Sequence, residues 1–229
     1  MKIGFTGTEL PAGKTKYKDE NLEALAAKDK PKKVSPFFAE FIPDEFVQVD
    51  AIVVPKAKIL DLLIHDLESL DGRLSRVDAP SEIVLLEKCI RMMEEEVPLC
   101  DVDFSEAEKK TLVTLGPYSL KPVVQIEEDI EVNQVLSQAI DKAGLMFFYT
   151  SGREESHAWL VEKDSDIVDC AGKIHSDLAR GFIKGDVVGF DEYMSCHSFN
   201  ECKSKGIARL VDRGYMVQPS EVIEIRFSV

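Results

Sequence analysis

The 229-residue chain is long enough for one large domain or two modest ones, and its 45% hydrophobic content is ordinary for a protein with a buried core. Against 28 basic residues stand 42 acidic ones, a formal charge of −14. That balance argues against coating DNA by bulk charge, because phosphate neutralisation needs clustered Lys and Arg. No run of 18 apolar residues is present, and the start, MKIGFTGTEL, has neither a long apolar stretch nor a small-residue cleavage site. With five scattered cysteines (Cys89, Cys100, Cys170, Cys196, Cys202) that fit reduced thiols, the reading is a cytoplasmic protein without a membrane partner. Cys196, His197 and Cys202 have no second ligand pair at zinc spacing, so no metal centre is expected from them.

Taken from its start, the chain opens on a short apolar strand, Lys2 to Thr6, leading into Gly7-Thr-Glu-Leu-Pro-Ala-Gly13-Lys14-Thr15. This run resembles a Walker A loop, in which backbone N–H groups and a helix N-terminus cradle phosphates, a lysine reaches the terminal phosphates and a hydroxyl holds magnesium. It departs from the pattern by one extra residue between the first glycine and Gly13-Lys14-Thr15, and Pro11 offers no donor. Two readings stand: a phosphate site at Gly7, Gly13, Lys14 and Thr15, with Thr15 on magnesium, or a loop kept only for structure. The helix after it is polar and expected to be short and weakly packed. Residues 28–36, KDKPKKVSP, read as a charged linker whose Lys28, Lys30, Lys32 and Lys33 either lie in solvent or touch phosphate. Phe37, Phe38, Phe41 and Phe46 follow and are expected to cover an apolar sheet edge, unless a second copy of the chain in a homodimer does so. A strand is expected over Val47–Val54.

Leu60, Leu63, Leu67, Leu70, Leu74 and Val77 then step by three and four, as do Ile83, Leu86, Ile90 and Met93. Two such seams joined by Asp78-Ala-Pro80-Ser81 predict an antiparallel helical hairpin over about 58–97. His65 lies on it as a surface or seam residue. Ser105 and Glu108 form a capping box, Leu120–Ile126 reads as a buried strand, and Val132 to Ala143 as an amphipathic helix. In the last third, Leu145–Tyr149 and His157–Val161 flank a turn at Ser151-Gly152-Arg153 and predict a strand hairpin. A helix follows, capped by Ser165 or Asp166, with Ile167, Ala171, Ile174 and Leu178 on one face; Gly181 suits a left-handed stop. Ile183–Phe190, Ile207–Val211 and Val222–Phe227 supply three more strands.

Three blocks of this last third, FYTSGREESHAW, IHSDLARGFIKGDVV and YMVQPSEVIEIRF, resemble in order the TGS domain that ends YchF-type members of the Obg-like P-loop NTPases. DLLIHDLESLDGRLSRV and LLEKCIRMMEEEVPL are similar to the helical arm which that family inserts into its nucleotide-binding domain. The resemblance implies an α/β architecture: a reduced P-loop-type domain with the arm over residues 1–144, then a ubiquitin-like β-grasp TGS domain over 145–229. It also implies switch segments with an Asp-x-x-Gly between the Walker loop and the strand ending at Val54, and a base-reading Asn after the strand ending at Ile126. Neither is present. Glu127-Glu128-Asp129 stands at the second place, and a carboxylate only accepts hydrogen bonds where a purine edge needs a donor too.

No residue can be nominated to orient an attacking water, and His157, His175 and His197 form no catalytic group. The reading is therefore a YchF-like binding protein with a degenerate nucleotide site, no catalytic residue, and RNA or the ribosome as partner by family analogy. The alternatives are an ATP- or GTP-binding protein, or slow NTPase, that uses Gly13-Lys14-Thr15 with magnesium, and a small-molecule sensor.

Overall fold

The computed structural model describes residues 1–127 and 130–228. The chain opens with β1 (Lys2–Phe5), β2 (Gly13–Lys16), α1 (Glu20–Asp29), β3 (Lys33–Ser35), β4 (Phe38–Pro43) and β5 (Ala51–Pro55). Helices α2 (Ile59–Leu74), α3 (Pro80–Glu94) and α4 (Glu106–Leu115) precede β6 (Val123–Ile126) and α5 (Val132–Lys142). Then come β7 (Leu145–Ser151), β8 (Glu155–Glu162), α6 (Ile167–Ile174), α7 (Ser176–Arg180) and β9 (Phe182–Val188). The last elements are α8 (Phe190–Met194), α9 (Phe199–Ser204), β10 (Arg209–Val211) and β11 (Val222–Phe227). The mixed α/β class expected from the sequence is present, in two compact units: Met1–Thr15 with Phe38–Ala143, and Lys16–Phe37 with Gly144–Val229.

The sheet of the first unit runs β2-β4-β1-β5-β6, with β4, β1, β5 and β6 mutually parallel. β1 is its central strand, and β5 beside it is an unbroken apolar run buried on both faces, as parallel strands between helical layers must be. Here the observed strand starts later than the expected Val47, which is 63% exposed. Ile52 and Val54 pack with Leu62, Leu63, Leu70, Leu86, Cys89 and Met93 of α2 and α3, while α5 lies along β5 and β6 through its own buried stripe, Val135, Leu136, Ala139 and Ile140. The seam on α2 differs from the expected one at its start. Leu60 is exposed and Ile59 and Leu62 are buried, because α2 packs against the sheet as well as against α3 and needs a wider stripe than a two-helix seam. The Ser105–Glu108 capping box opens α4, and Gly116, in the left-handed region, closes it.

The sheet of the second unit runs β10-β9-β11-β7-β8-β3. β7 and β8 form the expected antiparallel hairpin, β11 lies parallel to β7 and antiparallel to β9, and β3 adds in parallel to β8. One face is covered by α6, whose Ile167, Cys170 and Ala171 meet Met146, Phe148, Val187 and Ile223. The other is covered by α1, α8 and α9, with Leu22, Leu25, Tyr193, Phe199 and Cys202 against Tyr149, Val188 and Val222. The segment Lys16–Phe37 thus belongs to this unit, not with the rest of the first 144 residues. Its helix is not weakly packed: Leu22 and Leu25 are buried, and the Asp19 carboxylate both caps α1 at Leu22 N and accepts the Tyr149 hydroxyl at 2.9 and 3.0 Å. Gly181 also differs from expectation. Its φ is −92°, and the reason for glycine is space, since a Cβ there would stand 2.3 Å from the Ser228 carbonyl oxygen.

Burial raises the Asp19 pKa above the ordinary carboxylate value of 3.8, against the hydrogen bonds that lower it. The unfolded chain therefore ionises this group at lower pH than the folded one, and its contribution, full below 3.8, is lost as pH rises through the folded value. Asparagine keeps the cap and can still accept from Tyr149, but carries no charge to desolvate. Asp19→Asn is thus expected to gain stability relative to the native chain as pH rises from 3.8 towards neutrality. Melting curves of both proteins across that range test it, and a pH-independent difference between them would rule the assignment out.

Candidate functional site

In a parallel sheet, ligands collect at the carboxyl ends of the strands where the chain switches direction. In the first unit that point is the end of β1, because β4 lies on one side of it and β5 on the other. A cavity of about 360 Å³ opens there, lined by Thr6, Gly7, Thr8, Glu9, Asp44 and Lys58. Gly7 turns the chain with φ +70°, and a Cβ on it would come within 2.8 Å of the Lys58 side chain. Lys58 Nζ donates to the Gly7 carbonyl at 2.7 Å, and Thr6 Oγ1 donates to Asp44 at 2.9 Å. The cleft thus joins two hydroxyl groups, one ammonium already engaged on a carbonyl, and the two carboxylates of Glu9 and Asp44. Beside it, Glu45 is held below the usual carboxylate range by the N–H groups of Gln48 and Val47.

Of the residues expected to form a phosphate site, only Gly7 lines this cleft. Gly13, Lys14 and Thr15 lie in β2, the edge strand next to β4, where Lys14 is exposed and Thr15 half-buried. No helix starts at Thr15. An extended strand alternates its N–H groups and does not aim them at one anion, so Lys14 and Thr15 in this conformation do not match a phosphate and magnesium cradle. The next helix, α1, is closed at its N-terminus by Asp19 and carries Glu20 and Glu23 in its first turn. At the expected base-reading place, Glu127 pairs with Lys56 at 2.5 Å; Glu128 and Asp129 lie outside the described residues. Among the described residues no group of three or more His, Cys, Asp or Glu converges on a metal position, and no helix is long and apolar enough to cross a membrane.

The basic run is largely paired within the second unit. Lys28 meets Asp29 at 3.0 Å, Lys32 meets Glu154 at 2.8 Å and Lys33 meets Glu155 at 2.9 Å, while Lys30 is the left-handed cap of α1. His157 stacks on Trp159, with ring centroids 3.6 Å apart, and burial lowers its pKa. The phenylalanines divide. Phe41 is buried and Phe46 packs against Tyr118 and the exposed His65, but Phe38 is 48% exposed on β4, an inner strand, and does not cover a sheet edge as expected.

Residues 145–228 match the YchF-GTPase_C family model, described as a protein of unknown function (DUF933). A ribosome-binding ATPase YchF of Bacillus subtilis (strain 168) is 25% identical over 260 residues, covering 82% of this chain and 71% of that protein. The ribosome-binding ATPase YchF of Mycoplasma genitalium is 35% identical over 98 residues, 43% of this chain and 27% of that one. The last part of the chain thus matches a YchF C-terminal family, and the chain over most of its length is similar to proteins named YchF. The solved structure of the Schizosaccharomyces pombe YchF GTPase shares the fold, with a TM-score of 0.76 over 96% of this chain and 89% of that one, at 15% identity.

Against this YchF-type fold, the residues that the sequence reading missed are Thr6, Glu9, Asp44 and Lys58. Asp44 and Lys58 each follow an apolar strand ending in proline, Phe38–Pro43 and Ala51–Pro55. Their place at the ends of the strands that flank β1 is the signal that marks them, and it depends on sheet order and not on a local motif.

Proposed function

We propose that this chain is a YchF-like binding protein of the cytoplasm that engages the ribosome, through RNA or a ribosomal protein, and whose nucleotide site is degenerate and does not hydrolyse. The observation that carries the second half is the strand conformation of Gly13-Lys14-Thr15, which leaves the β1 cleft with one engaged lysine and two carboxylates. Those carboxylates oppose the phosphates of a nucleotide. The first half rests on relatives named as ribosome-binding. In this reading the second unit is a TGS-type β-grasp module. Its parallel β7–β11 pair, with the β7–β8 hairpin and α6 across one face, supports that assignment. Helices α2 and α3 form the helical arm, and the arm and the module are the gripping surfaces.

Isothermal titration with ATP and GTP, each with magnesium, tests the degenerate site, using the native chain beside Lys14→Ala and Lys58→Ala. The expected result is no saturable heat from any of the three and no phosphate release. An isotherm that disappears in Lys14→Ala would replace this reading with an ATP- or GTP-binding protein in which Thr15 holds the magnesium. Co-sedimentation with purified ribosomes tests the partner; a chain that stays in the supernatant at low salt does not engage them.

A further inference from the structure

We infer that the second unit carries a separate pocket for a small phosphomonoester with a polar body, between the C-terminal end of α1, the β7–β8 turn and the α8–α9 connection. A cavity of about 500 Å³ lies there, within the range of small-molecule sites. Its floor is the Asp29 carboxylate. Lys28 Nζ reaches it at 3.0 Å, Ser151 Oγ at 2.6 Å and Tyr193 OH at 2.7 Å, and the Lys28 ammonium also sits 3.5 Å over the Tyr193 ring. Three donors absorb the charge of that acid. At the margin, Glu224 is held by Lys203 at 2.6 Å. The acids of the pocket are therefore spent on the protein's own cations.

What remains faces outward as donors. The side chains of Arg153, His197 and Asn200 line the cavity and have no hydrogen-bond partner among the described residues. One unpaired guanidinium with the N–H groups of an imidazole and a carboxamide on other walls selects an anion rich in acceptor oxygens. Donors on several sides suit a tetrahedral oxyanion better than a flat carboxylate, which one guanidinium saturates from a single side. The cavity is far larger than a phosphate group, and its two aromatic rings, Tyr193 and Phe199, are buried at 1% and 4% exposure. They form floor, not a stacking platform, so the rest of the ligand is polar, as in a sugar phosphate.

The test is a two-dimensional amide NMR titration of the full chain with inorganic phosphate, ribose 5-phosphate and acetate in turn, repeated on Arg153→Gln. Saturable shifts at Gly152, Ser198 and Asn200 are expected with phosphate and, at lower concentration, with ribose 5-phosphate. Arg153 is exposed, so its replacement leaves the fold in place and should weaken binding about tenfold, the loss expected for one charge-assisted contact. Saturation by inorganic phosphate alone would name free phosphate as the occupant of the same site. Shifts that never saturate, acetate binding as tightly as phosphate, or an Arg153→Gln variant that binds like the native chain would each overturn the proposal.

Discussion

Replacing Gly4 with alanine is expected to destabilise the first unit by about 3 kcal/mol or more, at or above the upper end of ordinary overpacking. Gly4 sits in β1, paired with Ile42 of β4 on one side and Ile52 of β5 on the other, so the strand cannot slide away. A Cβ there would stand 1.8 Å from the Glu45 carbonyl oxygen and 3.3 Å from Val49 Cγ2. The first contact is with backbone, which cannot rotate aside as a side chain can. Glycine lets the chain leaving β4 pass directly over β1, and that passage sets Asp44 beside Thr6 at the mouth of the cleft. The substitution thus attacks fold and site together. Urea unfolding followed by far-UV circular dichroism measures it; the only tryptophan, Trp159, lies in the other unit and reports on that one. A midpoint equal to that of the native chain would mean that the residue 44–49 segment has room that this geometry denies it.

How far the sequence could be read depended on whether a residue's role was local. The capping box at Ser105–Glu108, Asp166 as one of two candidate caps for α6, the strand Val222–Phe227 and the stripe of α5 depend on neighbours a few residues away, or on simple alternation, and were legible. The strand at Gly13–Lys16 was not. Its letters match a phosphate loop closely enough to suggest a helix start, but the residues that decide are in β4, which draws it in as an edge. The transfer of Lys16–Phe37 into the second unit was equally hidden. Leu22 and Leu25 look like a meagre helix face until Tyr149, Val188 and Val222, more than a hundred residues later, close over them. Helices α8 and α9 escaped because each is a turn or so long and neither repeats its pattern, even though Phe190, Tyr193 and Met194 have helical spacing. The same distance rule applies to the sites. A motif could be nominated from its spacing, whereas the β1 cleft and the Arg153 pocket gather side chains from separate elements.

Asp66 shows what such distant partners contribute to stability. It lies in the middle of α2, where an acid would ordinarily point to water, yet it is 2% exposed. Its two oxygens accept separately, one from Tyr118 N and one from Ser119 N, each at 2.7 Å. Those donors open the short 3-10 turn over Tyr118–Leu120 that leads into β6. Asp66 therefore acts as a cap supplied by another helix, closing backbone groups that the turn cannot satisfy itself. Alanine in its place removes the acceptor of both N–H groups, that of Ser119 buried and that of Tyr118 partly so. Two hydrogen bonds to a charged acceptor are worth roughly 3–6 kcal/mol before the desolvation of the carboxylate is recovered, so a net loss of about 3 kcal/mol is expected for Asp66→Ala. Asparagine is not a remedy here. It turns one acceptor into a donor that faces an N–H, and it should lose about half as much. The order native, Asn, Ala in urea midpoint is the signature of a two-oxygen cap. An Asn variant as stable as the native chain would show that one oxygen suffices, and an Ala variant within about 0.5 kcal/mol of it, the spread of a neutral surface change, would remove the cap from the account of this fold.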